Sequence, residues 1–489
     1  MSSSKQPRSY AGNAGLAAIG RIAPLAVQLI ATPFIIAAFG VDSYAVWAIL
    51  ATTISLMLTA DLGVVGIMQR YHSVARANED VRQGGRITAT VLLFLLVLLV
   101  VLTLIGPWIA DFLVSIIKIG PGLTDSAWFV FRYSGTLAVM QLIALALTAY
   151  LAAQNRFLAS AVSSIAARSL FVVALVIVLS GDYGLKGLVV ASFVDGIAAI
   201  VIAGAMCWKH LAFEVRGLVN KSELKELWAY SWRNQASALG FVAQRESDVL
   251  MAAIMLPAAF QATIAATAQL AAAAAFAPTI ALIPLFTNLS ALSATSIEKV
   301  KAATQSAEKN WFALVLPFSA LVMSIGPFAT VAWLGPQLPD LLPTMALLSA
   351  GFLIVLANSV RAVYVRAIGK PGIESTSYFW LFLSKLAVGI PATLIWGIYG
   401  LAASTVISSF ISVFVMWRLT SRNEIRIKPT PLNRSTVTIS FIALFTGLIA
   451  AAAIWLVIDI RPLQLVLYGL LGLLLTGGIF IFYRSKGLS

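Results

Sequence analysis

The sequence predicts an all-α polytopic membrane protein of about 14 transmembrane helices. They form two parallel six-helix lobes, related by a pseudo-two-fold axis along the membrane normal, plus two extra C-terminal helices. Of the 489 residues, 60% are hydrophobic and only 11% are charged. Soluble domains do not have this composition. The apolar runs reach the roughly 20 residues that a bilayer requires. They do not alternate as the strands of a transmembrane barrel do, and parts of the pattern recur along the chain.

Fourteen apolar runs follow one another, joined alternately by short turns and by longer basic links. In the first pair, the tight turn Gly40–Ser43 joins two runs, and Arg70 then opens a basic edge. The predicted spans are 12–39, 44–69, 87–117, 125–152, 157–180, 186–208, 227–256, 260–289, 309–334, 342–366, 374–397, 399–418, 436–458 and 462–483.

The basic residues in the links fall almost entirely on one side of the membrane. Twenty-three lie on the side of the N-terminus, and only Lys118, Lys186 and Arg461 lie on the other. Cytoplasmic loops carry an excess of Lys and Arg, so both termini are predicted to be cytoplasmic. This bias explains most of the net charge of +14, and no nucleic-acid partner is expected.

An internal repeat divides the spans. Tyr183-Gly184-Leu185 opens the sixth span and Tyr399-Gly400-Leu401 opens the twelfth, 216 positions later. An even number of spans in each repeat makes the two lobes parallel. The predicted domains are an N-terminal six-helix lobe (1–208), a cytoplasmic amphipathic linker (209–226), a C-terminal six-helix lobe (227–420), and spans 13 and 14 with the cytoplasmic C-terminus (421–489).

Twelve charged residues are predicted to lie at membrane depth, Asp111 among them near the outer end of the third span, and a charge there requires a wet cavity or a partner. The basic ones outnumber the acidic ones by seven to five, which favours an anionic passenger. The bases are Arg21, Arg132, Arg168, Arg233, Arg245, Arg361 and Lys385, and the acids are Asp61, Asp111, Asp195, Glu246 and Asp248.

The position of each charge suggests its role. Arg168 and Asp195 lie at similar depth and are expected to form an ion pair or to take part in ion coupling. Lys385 has no acidic neighbour in the sequence, which favours a place in the central cavity. Arg245 is expected to face that cavity, with at least one nearby acid pairing with it or with the opposite lobe. Arg233 and Arg361 are expected to snorkel towards the cytoplasmic surface.

The candidate substrate-binding residues of the central cavity are therefore Arg21, Asp61, Arg245, Asp248 and Lys385. Arg168, Asp195 and Glu246 are the candidates for ion pairing or coupling. Neutralising Arg245 or Lys385 is expected to abolish transport while protein level and topology are kept.

No motif indicates catalysis. The chain has no Walker A motif. Its two histidines, His72 and His210, lie at predicted cytoplasmic edges, and Cys207 is the single cysteine. No catalytic residue, metal site or cofactor is predicted.

Several of these stretches resemble a known family. They are Gly20-Arg21, Phe39-Gly40, Tyr44-Ala45-Val46-Trp47, Asp61-Leu62-Gly63, Arg70-Tyr71, Tyr230-Ser231-Trp232 and Asp248. Together with the topology, they resemble the polysaccharide-transport family of the multidrug/oligosaccharidyl-lipid/polysaccharide (MOP) exporter superfamily, which includes O-antigen and exopolysaccharide repeat-unit flippases.

The resemblance implies a flippase of the bacterial cytoplasmic (inner) membrane. Its substrate would be an undecaprenyl-pyrophosphate-linked oligosaccharide destined for surface polysaccharide such as lipopolysaccharide. Movement would occur by alternating access around a cationic cavity. The further partners implied are membrane lipids, a polysaccharide polymerase and glycosyltransferases.

Three alternatives stay open. Lipid II flippases also have fourteen spans, and no feature separates the two substrates. A cation-coupled drug exporter usually has twelve spans and an acidic cation site, which the arginine surplus disfavours. A membrane glycosyltransferase or polymerase should carry a large outer loop, whereas no predicted outer connection here exceeds about ten residues.

Overall fold

The protein is all-helical over the residues that its computed structural model describes, and no strand occurs among them. These residues are 27–59, 68, 72, 81–154, 156–181, 183–208, 240, 242–293, 296–422, 426–428, 430 and 432–485. The chain divides into two compact units, Met1–Val242 and Ala243–Ser489. The domain boundaries and the pseudo-two-fold relation expected from the sequence stay predictions.

The described part of the first unit is a set of antiparallel helices packed mainly on α6 and α8. Its helices are α1 (Val27–Phe39), α2 (Val41–Thr59), α3 (Val81–Leu104), α4 (Gly106–Ile116), α5 (Thr124–Arg132), α6 (Ser134–Ala153), α7 (Phe157–Ser180) and α8 (Gly184–Cys207). Fifteen of the 20 residues of α6 are buried, whereas one face of α7 is exposed leucine, isoleucine and valine.

The second unit is built around two long helices, α12 and α15. Its helices are α9 (242–255), α10 (Ala258–Thr279), α11 (Ile283–Ser293), α12 (Ile297–Leu334), α13 (Leu341–Ile354), α14 (Ser359–Ala367), α15 (Gly372–Thr420), α16 (Arg434–Val457) and α17 (Arg461–Ser485). The helices α13 and α10 pack on each other and α13 packs on α15, while α16 and α17 pack on α12.

The prediction of a multi-pass membrane protein is confirmed. Among the described residues, eleven helices are long and apolar enough to cross a membrane. One of them, α15, has 49 residues and bends sharply at Gly397, and its two arms match the predicted spans 374–397 and 399–418. The predicted first, second and seventh spans, 12–39, 44–69 and 227–256, lie partly outside the described residues.

The hairpin inside α15 depends on two glycines. Gly397 has φ +57° and ψ −132°, which is open to glycine and unfavourable for residues with a Cβ atom. At Gly400, a Cβ would lie 2.0 Å from the carbonyl oxygen of Ala392, so the arms can meet only without a side chain there. Gly184, at the start of α8, also has positive φ (+55°). The Tyr-Gly-Leu motifs align Gly184 with Gly400. By backbone conformation, however, Gly184 corresponds to Gly397, which lies three residues earlier.

The last two helices belong to the second unit. A close approach of α16 to α12 occurs at Gly447, where a Cβ would lie 2.3 Å from the Oγ atom of Ser324. Buried alanines and leucines surround this point, and the buried Tyr468 of α17 packs among them.

Candidate functional site: buried ion pairs in each unit

Six of the eight candidate residues lie in the described part of the chain, and they form three ion pairs. Arg21 and Asp61 lie outside it. The three pairs are Lys385 with Asp248, Arg245 with Glu246, and Arg168 with Asp195.

The Lys385–Asp248 pair is completely buried. The Lys385 Nζ atom lies 2.5 Å from Oδ2 of Asp248, and both side chains are 0% exposed. Thr405 completes the site, because its hydroxyl accepts a hydrogen bond from Nζ (2.9 Å) and donates one to Oδ1 of Asp248 (2.7 Å). We call these three residues the buried triad.

The buried triad joins three helical segments. Asp248 lies on α9, Lys385 on the first arm of α15, and Thr405 on its second arm. Gly389, one turn after Lys385, lets these segments approach, since a Cβ there would lie 2.8 Å from the Met251 side chain and 2.9 Å from Ser404 Oγ. Lys385 has no acidic neighbour in the sequence because the carboxylate that pairs with it comes from α9, more than 130 positions earlier.

Burial bears on the role assigned to this pair. A fully buried ammonium and carboxylate cannot touch a substrate in the state described. Substrate binding by Lys385 and Asp248 therefore stays a prediction, and it requires the pair to open. Charges of this kind are stable in a low-dielectric interior only while each has its partner.

Arg245 is the most exposed cation of the three pairs. Its Nη2 atom lies 2.7 Å from Oε1 of Glu246, and the side chains are 41% and 8% exposed. The expectation that an acid pairs with Arg245 is confirmed. The guanidinium therefore stays partly exposed while it is paired.

The expected pair of Arg168 and Asp195 is also confirmed. Arg168 Nη1 lies 3.2 Å from Asp195 Oδ2, and the side chains are 25% and 11% exposed. The guanidinium also lies 5.3 Å from the ring centroid of Phe171. This pair joins α7 to α8 within the first unit.

The expectation that Arg361 snorkels to the surface is wrong. Its Nε atom lies 2.6 Å from Oε1 of Glu308, and both side chains are 0% exposed. Its Nη1 donates to Thr420 (2.8 Å), and its guanidinium lies 4.0 Å from the ring centroid of Trp417. With these three partners inside the unit, the side chain gains nothing by extending to water.

The partner, Glu308, was missed because the ninth span was predicted to begin at 309. The helix begins at Ile297 instead, where the Ser296 side chain accepts a hydrogen bond from the backbone N–H of Lys299. Serine at an N-cap is a recognisable start signal, and it places Glu308 inside the helix. The hydroxyl of Thr430, in the link before α16, also donates a hydrogen bond to Oε2 of Glu308.

These pairs change the charge balance drawn from the sequence. Four of the five described basic residues at membrane depth are each matched by one carboxylate. Arg132 is the fifth, and its contacts in the described structure are aromatic rings. The described residues contain no group of three or more His, Cys, Asp or Glu side chains able to hold a metal ion.

No protein-family model matches the chain, and no curated protein matches its sequence. Solved structures do match its fold. The lipid II flippase MurJ in an inward closed conformation has a TM-score of 0.69 and 13% identity, over 96% of this chain and 99% of that one. An inward-facing MATE-family multidrug resistance transporter of the MOP superfamily has a TM-score of 0.62 and 15% identity, over 82% and 97%. A MOP-superfamily transporter from Pyrococcus furiosus, described by the reverse polarity of its binding pocket, has a TM-score of 0.55 and 14% identity, over 90% and 94%.

These likenesses show the fold. The chain is a polytopic membrane protein with the helical fold shared by MurJ and the MATE transporters of the MOP superfamily. At 13 to 15% identity, the shared fold leaves the substrate open.

Proposed function

We propose that this protein is a flippase that moves undecaprenyl-pyrophosphate-linked oligosaccharide repeat units across the bacterial cytoplasmic membrane. The end product would be a surface polysaccharide. The protein would work by alternating access, with both termini in the cytoplasm, alongside a polymerase and glycosyltransferases.

The likeness to MurJ is the observation that supports this proposal most strongly. It spans 96% of this chain and 99% of MurJ, a protein named for flipping lipid II. We name a polysaccharide repeat unit as the first candidate because the sequence resembles the polysaccharide-transport family. The likeness to MurJ supports lipid II as the second candidate.

Arg245 is the residue best placed to meet the substrate. A guanidinium binds phosphate through two parallel hydrogen bonds, and that of Arg245 is 41% exposed while Glu246 anchors it. In this proposal it contacts the pyrophosphate, while Arg21 and Asp61 stay predicted substrate-binding residues. The buried triad and the Arg168–Asp195 pair hold the helices of their own units together. Arg168, Asp195 and Glu246 remain the candidates for ion coupling.

Deletion of the gene in its own host, followed by analysis of lipid-linked glycans, tests the proposal. Accumulation of undecaprenyl-linked repeat units on the cytoplasmic side, with loss of surface polysaccharide, supports it. Lysis with trapped lipid II and intact surface glycan identifies the second candidate. Drug sensitivity with neither effect contradicts both.

Complementation then tests Arg245. The Arg245→Gln variant should restore protein level and not surface glycan. Arg434→Gln, which neutralises an exposed arginine at the start of α16, should restore both. Equal glycan display by the two variants would remove Arg245 from the proposed binding site.

A further inference from the structure

Arg132 stands apart from the other described basic residues at membrane depth. Each of the others faces a carboxylate, whereas the Arg132 guanidinium lies 5.4 Å from the ring centroid of Trp128 and 5.7 Å from that of Tyr133. The side chain is exposed, and it lies eight residues, about 12 Å, beyond the start of α5. An exposed charge at that depth is costly unless it meets water or an anion.

The membrane span that contains Arg132 is interrupted directly after this residue. The span Thr124–Ala153 consists of two helices, and Arg132 is the last residue of α5. Tyr133, between them, leaves the α-helical conformation (φ −96°, ψ 2°). The break is held against α4, because a Cβ on Gly106 would lie 2.3 Å from the Arg132 carbonyl oxygen.

A second cation lies beside the same rings. Lys186, exposed at the start of α8, has its Nζ atom 5.5 Å from the ring centroid of Phe129. Phe129 and Tyr133 pack edge to face with their centroids 5.2 Å apart, and Tyr133 packs in the same way on Phe193. An aromatic surface therefore links Arg132 to Lys186.

Among the described residues, two acids also lie in this region. Asp111 is engaged, because its Oδ1 atom accepts a hydrogen bond from the Trp128 indole (2.7 Å). Asp125 lies exposed in the first turn of α5. Neither forms an ion pair with Arg132 or Lys186 in the described structure.

We propose that Arg132 and Lys186, with the rings of Trp128, Phe129 and Tyr133, form a binding site for the phosphate group of an anionic membrane lipid. The guanidinium supplies two parallel donors to phosphate oxygens and the ammonium a second positive charge. The Arg132 guanidinium reaches back to the ring of Trp128, one turn nearer the start of α5, and tryptophan and tyrosine favour the level of the lipid headgroups. The phosphate comes either from a phospholipid or, if the proposed function holds, from the lipid-linked substrate.

The test is lipid binding to the purified full-length protein, measured by native mass spectrometry in detergent. The probes are phosphatidylglycerol, undecaprenyl phosphate and, as a zwitterionic reference, phosphatidylcholine. The variants are Arg132→Gln, Arg132→Lys and Lys186→Gln. The matched control is Arg461→Gln, which removes an exposed arginine predicted to lie on the same side of the membrane.

Arg132→Gln should weaken binding of at least one of the two anionic lipids about tenfold and leave binding of phosphatidylcholine unchanged. Arg132→Lys should retain part of the affinity, Lys186→Gln should lose part of it, and Arg461→Gln should match the wild type. The anionic lipid that loses affinity identifies the source of the phosphate. Wild-type affinity of Arg132→Gln and Lys186→Gln for both anionic lipids would overturn the proposal. The assay involves no transport, so its outcome is independent of the proposed flipping.

Discussion

Replacing Lys385 by methionine tests whether the buried triad depends on paired charge. The substitution keeps a long apolar side chain of similar reach and removes the ammonium that lies 2.5 Å from Asp248. Asp248 would then remain 0% exposed with Thr405 as its one partner in the triad. The structure therefore predicts loss of stability, and not only of transport.

The expected magnitude follows from that burial. Removing one partner of a buried pair costs about 3–5 kcal/mol, whereas replacing both partners by neutral groups is often close to neutral. Lys385→Met should therefore lower the stability of the folded protein by about 3–5 kcal/mol. Adding Asp248→Asn should recover most of it, because the amide oxygen still accepts the Thr405 hydroxyl hydrogen bond.

The assay is the melting temperature of the purified protein in detergent, together with its steady-state amount in the membrane. The single variant should have a lower melting temperature and a lower steady-state amount than the wild type. The double variant should approach the wild type in both. Wild-type stability of Lys385→Met, or a double variant as unstable as the single one, would refute the reasoning. Surface glycan in cells with the double variant then separates a structural role from substrate binding or coupling.

Three further perturbations have expected outcomes. Arg361→Met should lower stability by about 3–5 kcal/mol because it leaves a buried carboxylate unpaired. The control variant Arg418→Gln removes an exposed arginine and should leave the melting temperature unchanged. Equal melting temperatures of Arg361→Met and Arg418→Gln would contradict the prediction. Gly447→Ala should cost about 1–3 kcal/mol by overpacking against Ser324, and adding Ser324→Gly should restore the melting temperature. Burial lowers the pKa of His72 to about 4 from 6.5, so protonation opposes folding. Stability should fall by about 2–3 kcal/mol as the pH drops from 6.5 towards 4, and His72→Gln should melt with a flatter pH dependence.

The architecture follows from the sequence because membrane spans are local signals. Each apolar run must satisfy its own backbone hydrogen bonds in lipid, so it forms a helix wherever it is long enough. The two arms of α15, the tight turn at Gly40 and the pairing of Arg168 with Asp195 were all predicted on this basis. The pair was found because both residues lie at similar depth on consecutive helices.

The partners of Lys385 and Arg361 could not be predicted in the same way. Asp248 reaches Lys385 from a helix that is distant in sequence, and Glu308 was counted as part of a link. Depth alone gives no direction around a helix, so an inventory of charges cannot tell a paired charge from a free one. The apparent surplus of positive charge was therefore larger than the described structure supports.

The contacts of the link before α16 have a consequence for biogenesis. Thr430 donates to Glu308, the backbone N–H of Ile427 donates to the Thr420 carbonyl, and the Ile427 side chain is fully buried beside Val300 and Tyr364. A nascent chain inserted only as far as its twelfth span would thus still lack the hydrogen bond from Thr430 to Glu308. The second unit can complete its packing only after the segment leading into α16 has been synthesised. The order of synthesis therefore limits the order in which the contacts of this unit form.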